Sequence, residues 1–173
     1  MSRVVRDARR EDAEACRAIY EPYVRDTVTS FEAEPPTAEQ MAARISAAQR
    51  THAWLVLEED GRVIGYAYGA PFAERTAYQW SCEVSVYLDA DRRGTGGGRA
   101  LYEVLLDRLA ARGFHMAVAG MTLPNEASVG LHRAMGFEPV GVWRRIGFKH
   151  GAWHDVAWSQ RQLANGPPSG APQ

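Results

Sequence analysis

A mixed α/β sheet with helices on both faces is the fold this sequence predicts, on three observations. Residues 81–88 alternate, with Val84, Val86 and Leu88 on one side and Glu83, Ser85 and Tyr87 on the other. They run through a glycine-rich loop into a helically spaced apolar set, the order of an α/β unit. Two runs rich in β-branched and aromatic residues, 53–58 and 62–69, meet across Glu59, Asp60 and Gly61, which reads as a hairpin. Cys16, Ile19, Tyr20 and Tyr23 recur at i, i+3, i+4 and i+7, one face of a helix. At 173 residues and 46% hydrophobic content the chain suits one domain with one packed unit, over 1–163.

In chain order, residues 3–8 read as a first strand, and the helix carrying Cys16 to Tyr23 follows. Pro35 and Pro36 lack backbone donors and break it. Thr37, with Gln40 three positions on, has the form of a capping box and starts a second helix running to about residue 50. After the hairpin and the strand at 81–88, Leu101, Val104, Leu105 and Leu109 define a third helix that stops near Gly113. Residues 115–122 read as a strand, 125–135 as a helix ended by Gly136, and 137–148 and 153–163 as two closing strands. Residues 164–173, ending NGPPSGAPQ, lack core-forming side chains and are expected to be disordered.

Composition narrows the function. Lysine and arginine number 20 against 21 aspartates and glutamates, and a net charge of −1 leaves no basic footprint for nucleic acid or an anionic membrane. Two cysteines make no disulfide framework, and the opening MSRVVRDARRED lacks a signal peptide's apolar stretch, so a cytoplasmic location is expected. The run near residues 53–57 is far short of the roughly 20 residues that span a bilayer.

The segment Gly94, Thr95, Gly96, Gly97, Gly98 stands between a strand and a helix, where free backbone N–H groups and the helix dipole favour an anion. A Walker A loop ends in Lys followed by Ser or Thr, whereas Arg99 and Ala100 stand here. A dinucleotide fingerprint begun at Gly94 puts Arg99 where its third glycine belongs. What remains is Arg93-x-x-Gly96-x-Gly98, which resembles the pyrophosphate loop of the GNAT N-acetyltransferase family. Asn125 and Ser128, followed by Gly136 and Phe137, match that family's second motif. Residues 148–155 (FKHGAWHD), with Glu83 before Val86, Tyr87 and Leu88, resemble its phosphinothricin and methionine sulfoximine acetyltransferase branch.

The resemblance implies a sheet splayed at the cofactor site, acetyl-CoA as co-substrate, a small amino acid analogue as acceptor, and a homodimer. It places the pyrophosphate over Arg93 to Arg99 and the pantetheine arm along the backbone of Val86, Tyr87 and Leu88. Acetyl transfer to an ammonium needs a base, and Glu83, on the polar side of the strand entering the loop, suits that role; its neighbour Ser85 lies on the same side. His132 stands where most of the family has a tyrosine that protonates the departing thiolate, while a helix-packing role for it stays open. Asn125 serves as an N-cap, a cofactor contact, or both. Arg75 matches a branch arginine suited to a carboxylate, and Phe31 and Tyr78 match residues walling the acceptor pocket; Ala73 departs from the basic residue often found there. Rival readings are an acetyltransferase for another primary amine, a non-catalytic CoA sensor and, weaker still, a nucleotide-binding module. No metal is expected, since His150 and His154 do not share a helix face; Cys82 reads as a buried structural thiol. Trp143 and Trp153 are left between core and subunit contact.

Overall fold

The computed structural model describes residues 2–173. One mixed sheet holds seven strands: β1 (Arg3–Asp7), β2 (Trp54–Glu59), β3 (Arg62–Pro71), β4 (Ser81–Leu88), β5 (Met116–Thr122), β6 (Glu138–Lys149) and β7 (Ala152–Gln162). Their order across the sheet is β1-β2-β3-β4-β5-β7-β6, and every neighbouring pair is antiparallel except β4 with β5. Four helices flank it: α1 (Ala13–Arg25), α2 (Ala38–Thr51), α3 (Gly97–Ala111) and α4 (Glu126–Ala134).

Local chemistry explains the boundaries. Thr37 and Gln40 form the reciprocal capping box, with Gln40 N donating to Thr37 Oγ1 at 3.1 Å and Thr37 N to Gln40 Oε1 at 2.8 Å. The β2–β3 turn places Asp60 at φ 49° and Gly61 at φ 84°, the left-handed pair that matches the twist of a tight hairpin. Each sheet face buries its own core. On one, Leu101, Tyr102, Leu105 and Leu109 of α3 meet Leu55, Leu57, Cys82, Val84 and Ala117. On the other, Cys16, Ile19, Tyr20 and Tyr23 of α1 and Met41 and Ile45 of α2 meet Trp54, Val56 and Tyr66. Full burial of each large apolar side chain contributes about 1.5–3 kcal/mol.

The parallel pair creates the opening. β4 pairs with β5 only from Ser81 against Met116 to Glu83 against Val118, while on its other edge β4 stays paired with β3 as far as Leu88. Beyond Glu83 the two strands part, which leaves polar backbone groups of β4 in the gap without a strand partner.

At the far edge, β6 is a poor core strand: Val140, Trp143 and Phe148 are 60, 56 and 61% exposed, and Trp153 of β7 is 53% exposed. That places Trp143 and Trp153 at the surface. The final residues form no helix or strand, yet they lie against the body: the Trp80 indole donates to Gly170 O at 2.8 Å, and Gln173 N to Arg112 O at 2.9 Å. An indole N–H and a helix-end carbonyl give this apolar-poor segment backbone partners that composition does not reveal.

Candidate active site

The loop after β4 is built around two left-handed glycines. Asp89 caps a short 3-10 turn (Ala90–Arg92), after which Gly94 and Gly96 adopt φ 74° and 81° and bring the chain to the start of α3. Ala100 N, bonded to Gly96 O at 3.1 Å, begins the helical ladder, so the N–H groups of Gly97, Gly98 and Arg99 have no helical acceptor. Thr95 turns its carbonyl outward: Arg3 of β1 donates to Thr95 O at 2.9 Å and to its hydroxyl at 3.1 Å, and that hydroxyl donates to Arg92 O at 2.8 Å. Glu59 bridges Arg3 at 3.2 Å and Arg92 at 3.1 Å. The result is a positively biased concavity at a helix N-terminus, suited to a pyrophosphate.

The remaining glycines of the run do other work. A Cβ on Gly97 would stand 2.9 Å from a Leu57 methyl carbon, and one on Gly98 3.0 Å from Leu131. They let α3 seat on the sheet and beside α4, so only their N–H groups face the anion site. The Arg99 side chain is occupied by Glu103 one turn on, at 2.9 Å. Arg93 has no carboxylate partner among the described residues.

Past the loop, the gap between β4 and β5 is a narrow cleft lined by Val84, Ser85, Val86, Tyr87, Tyr102, Gly120, Asn125, Ser128 and His132. Asn125 caps α4, its Oδ1 accepting from Ser128 N at 3.1 Å, which leaves the amide hydrogens for the cleft. His132 lies 2.7 Å through Nδ1 from Ser128 O; a carbonyl only accepts, so Nδ1 carries the hydrogen and Nε2 its lone pair. That lone pair takes the hydroxyl hydrogen of Tyr102 at 3.0 Å. Burial lowers the His132 pKa, keeping the ring neutral, and raises that of Tyr102 far above the ordinary tyrosine value. In this arrangement the donor proton in the cleft is the tyrosine's and the histidine holds it. Sequence reasoning missed Tyr102 because it falls in step with Leu101 and Leu105 and reads as core; the signal was that a buried phenol needs a partner.

Glu83 is the last β4 residue paired with β5 and stands at the fork where the gap opens. Its carboxylate is half-buried, with no hydrogen bond or ion pair among the described residues, and burial raises its pKa above the ordinary glutamate value. Across the β3–β4 pair it faces Ala70, which leaves room beside it, while Ser85 faces Tyr68.

The acceptor-side residues divide. Phe31 lies over the backbone of Gly147, where a Cβ would stand 2.3 Å from its ring, and its centroid is 6.3 Å from that of His154. Arg75 and Tyr78 do not line the cleft; they line a separate groove of about 260 Å³ with Glu74, His52, Phe114 and Ser81. The two surfaces meet on one strand, since Ser81 and Glu83 share a face two residues, about 7 Å, apart. Cys82, fully buried between them, has its thiol pushed up to about 12 by burial and is no nucleophile at neutral pH. His154 donates through Nε2 to Lys149 O at 2.9 Å, within the β6–β7 hairpin.

A family model described as an acetyltransferase (GNAT) domain matches residues 5–158 of this sequence. The chain belongs to the GNAT acetyltransferase family. Among curated proteins it is 38% identical to phosphinothricin N-acetyltransferase of Streptomyces viridochromogenes, over 92% of this chain and 87% of that one. It is 34% identical to the L-methionine sulfoximine/L-methionine sulfone acetyltransferase of Pseudomonas paraeruginosa, over 94% and 96%. Among solved structures it matches a GNAT superfamily phosphinothricin acetyltransferase from Sinorhizobium meliloti in complex with AcCoA, with a TM-score of 0.93 and 38% identity over 99% and 96% of the two chains.

As a GNAT enzyme the chain is an acetyl-CoA-dependent N-acetyltransferase, and its residues fit that co-substrate. Unpaired β4 backbone suits the amides of a pantetheine arm, and the nest at Gly94 to Arg99 suits a pyrophosphate. No helix among the described residues is long and apolar enough to cross a membrane.

Proposed function

We propose that this enzyme acetylates the primary amine of a small amino acid analogue of the phosphinothricin, methionine sulfoximine or methionine sulfone type. The observation that carries the reading is Glu83, an unpaired and half-buried carboxylate at the fork where β4 leaves β5. Bound acetyl-CoA supplies the acetyl group as a thioester. Glu83 accepts a proton from the acceptor ammonium, freeing its lone pair. The backbone of Val86 to Leu88 holds the arm and polarises the carbonyl oxygen that gains charge, with Asn125 and Ser128 on the facing wall. The second proton that the acetylated nitrogen sheds ends on the departing sulfur, beside the Tyr102 hydroxyl that His132 orients, so the products are the amide, the free thiol and protonated Glu83. The raised pKa of Glu83 narrows the gap between base and ammonium, which favours transfer near neutral pH.

Arg75, exposed and without a carboxylate partner among the described residues, is the proposed anchor for the acceptor's carboxylate, with Tyr78 as an apolar wall of the same groove and Phe31 a separate apolar surface against the β6–β7 hairpin. The face shared by Ser81 and Glu83 is the path between anchor and base. Arg75→Ala should raise the acceptor KM about tenfold or more with the acetyl-CoA KM unchanged, and the parent should prefer an amino acid to its decarboxylated amine. Equal activity on both compounds rejects the anchor and favours a general amine acceptor.

The enzyme is also proposed to be a homodimer through the sheet edge formed by β6 and β7. Val140, Val142, Trp143, Ile146, Phe148 and Trp153 are all more than 40% exposed there, an apolar surface that a monomer would leave in water. Light scattering should give twice the 19.1 kDa chain mass. A 19.1 kDa particle at micromolar concentration rejects the dimer.

A further inference from the structure

Tyr23 is buried in α1, a helix that sequence and family motif alike leave outside the cofactor machinery, yet three of its contacts converge on that machinery. Its hydroxyl donates to Leu88 O, the last carbonyl of β4, at 2.7 Å. The same oxygen accepts from Arg93 Nε at 3.2 Å, and the guanidinium carbon lies 4.8 Å above the phenol ring. Tyr87 packs edge-on against that ring, centroids 5.1 Å apart, and fixes its plane.

Arg93 is thereby gripped on one face and at Nε, while its two terminal nitrogens have no carboxylate among the described residues. A long cationic side chain at the surface ordinarily loses rotamer freedom when it binds an anion. Here the phenol has already restricted it, by stacking and a hydrogen bond, and the open fork stands beside the glycine nest. We propose that Tyr23 is a positioning residue that presents the Arg93 fork to the pyrophosphate of acetyl-CoA. This assignment rests on the acetyl-CoA reading of the site.

The test is steady-state kinetics of Tyr23→Phe, Arg93→Ala and the double variant, each with acetyl-CoA and with S-acetylpantetheine, which lacks the pyrophosphate. Tyr23→Phe keeps the ring and removes the hydroxyl. It should raise the acetyl-CoA KM about 5- to 20-fold, with kcat and the amine KM within about twofold, and leave the KM for S-acetylpantetheine unchanged. With Arg93→Ala already in place, adding Tyr23→Phe should cost little more. Equal losses with both thioesters, or losses that multiply in the double variant, mean that Tyr23 only packs the fold and overturn the proposal. A parent that uses neither thioester refutes the transferase reading itself, so the two failures are distinguishable.

Discussion

Glu83→Gln is expected to lower turnover at neutral pH by about 10²- to 10⁴-fold, with acetyl-CoA binding little changed. The amide keeps the shape and a hydrogen bond and loses only proton acceptance, so binding and chemistry should separate. Stability should move the other way. Burial raises the pKa of Glu83 in the folded chain, so the protonated form is the one the fold favours. That contribution is complete below the ordinary glutamate pKa, about 4.3, and is lost as pH rises through the folded value. At neutral pH the parent therefore holds a desolvated charge that glutamine does not carry. The variant should melt higher at pH 7, and the difference should shrink as the pH falls through the raised pKa of Glu83 and be gone below about 4. Calorimetry at the two pH values checks it, and a variant melting lower at pH 7 would mean that the carboxylate is engaged in a stabilising contact.

Gly96→Asp should abolish acetyl-CoA binding, by about a hundredfold or more in Kd, while leaving the fold in place. The variant places a carboxylate at the proposed pyrophosphate site and imposes φ 81° on a residue with a Cβ. That Cβ meets nothing within 4 Å, so no neighbour is displaced. In a thermal-shift titration the parent should gain about 2.7 kcal/mol at a hundredfold excess of acetyl-CoA over its Kd, and the variant nearly nothing. Gly96→Ala separates the terms, because it carries the backbone strain without the charge and should retain most of the binding. An aspartate variant that binds like the parent would place the pyrophosphate elsewhere.

Much of this was legible in the sequence where a residue's neighbours are local or periodic. Residues 81–88 alternate because α3 covers one side and α1 the other, so Cys82 and Val84 are buried on one face and Glu83 is left on the other. Thr37 and Gln40 announce their helix because both hydrogen bonds close within three residues. What sequence could not divide were roles set by distant partners. Within one glycine run, Gly94 and Gly96 serve the turn, whereas Gly97 and Gly98 answer to Leu57 and Leu131, far away in the chain. Thr95 is tied down by Arg3, 92 positions earlier, and Tyr102 finds its hydrogen-bond partner in His132, 30 positions later. Arg75 and Tyr78 lie in a connection between β3 and β4 without periodicity, so motif matching could name them but not locate them in a groove apart from the cleft. On the proposed reading, acceptor specificity falls to that irregular segment and the chemistry to the strand beside it.

The central claim is that Glu83 takes the acceptor's proton, and the pH dependence of kcat/KM, followed by thiol release from acetyl-CoA in parent and Glu83→Gln, tests it most directly. In the parent, the rate should rise with pH through a break above the ordinary carboxylate range, set by the raised pKa of Glu83, and then level off. The variant should lack that break and climb steadily as the amine loses its proton unaided, approaching the parent at high pH. Superimposable profiles, or a variant equally impaired when the amine is already neutral, would contradict the base role and leave Glu83 as a residue that only orients the acceptor.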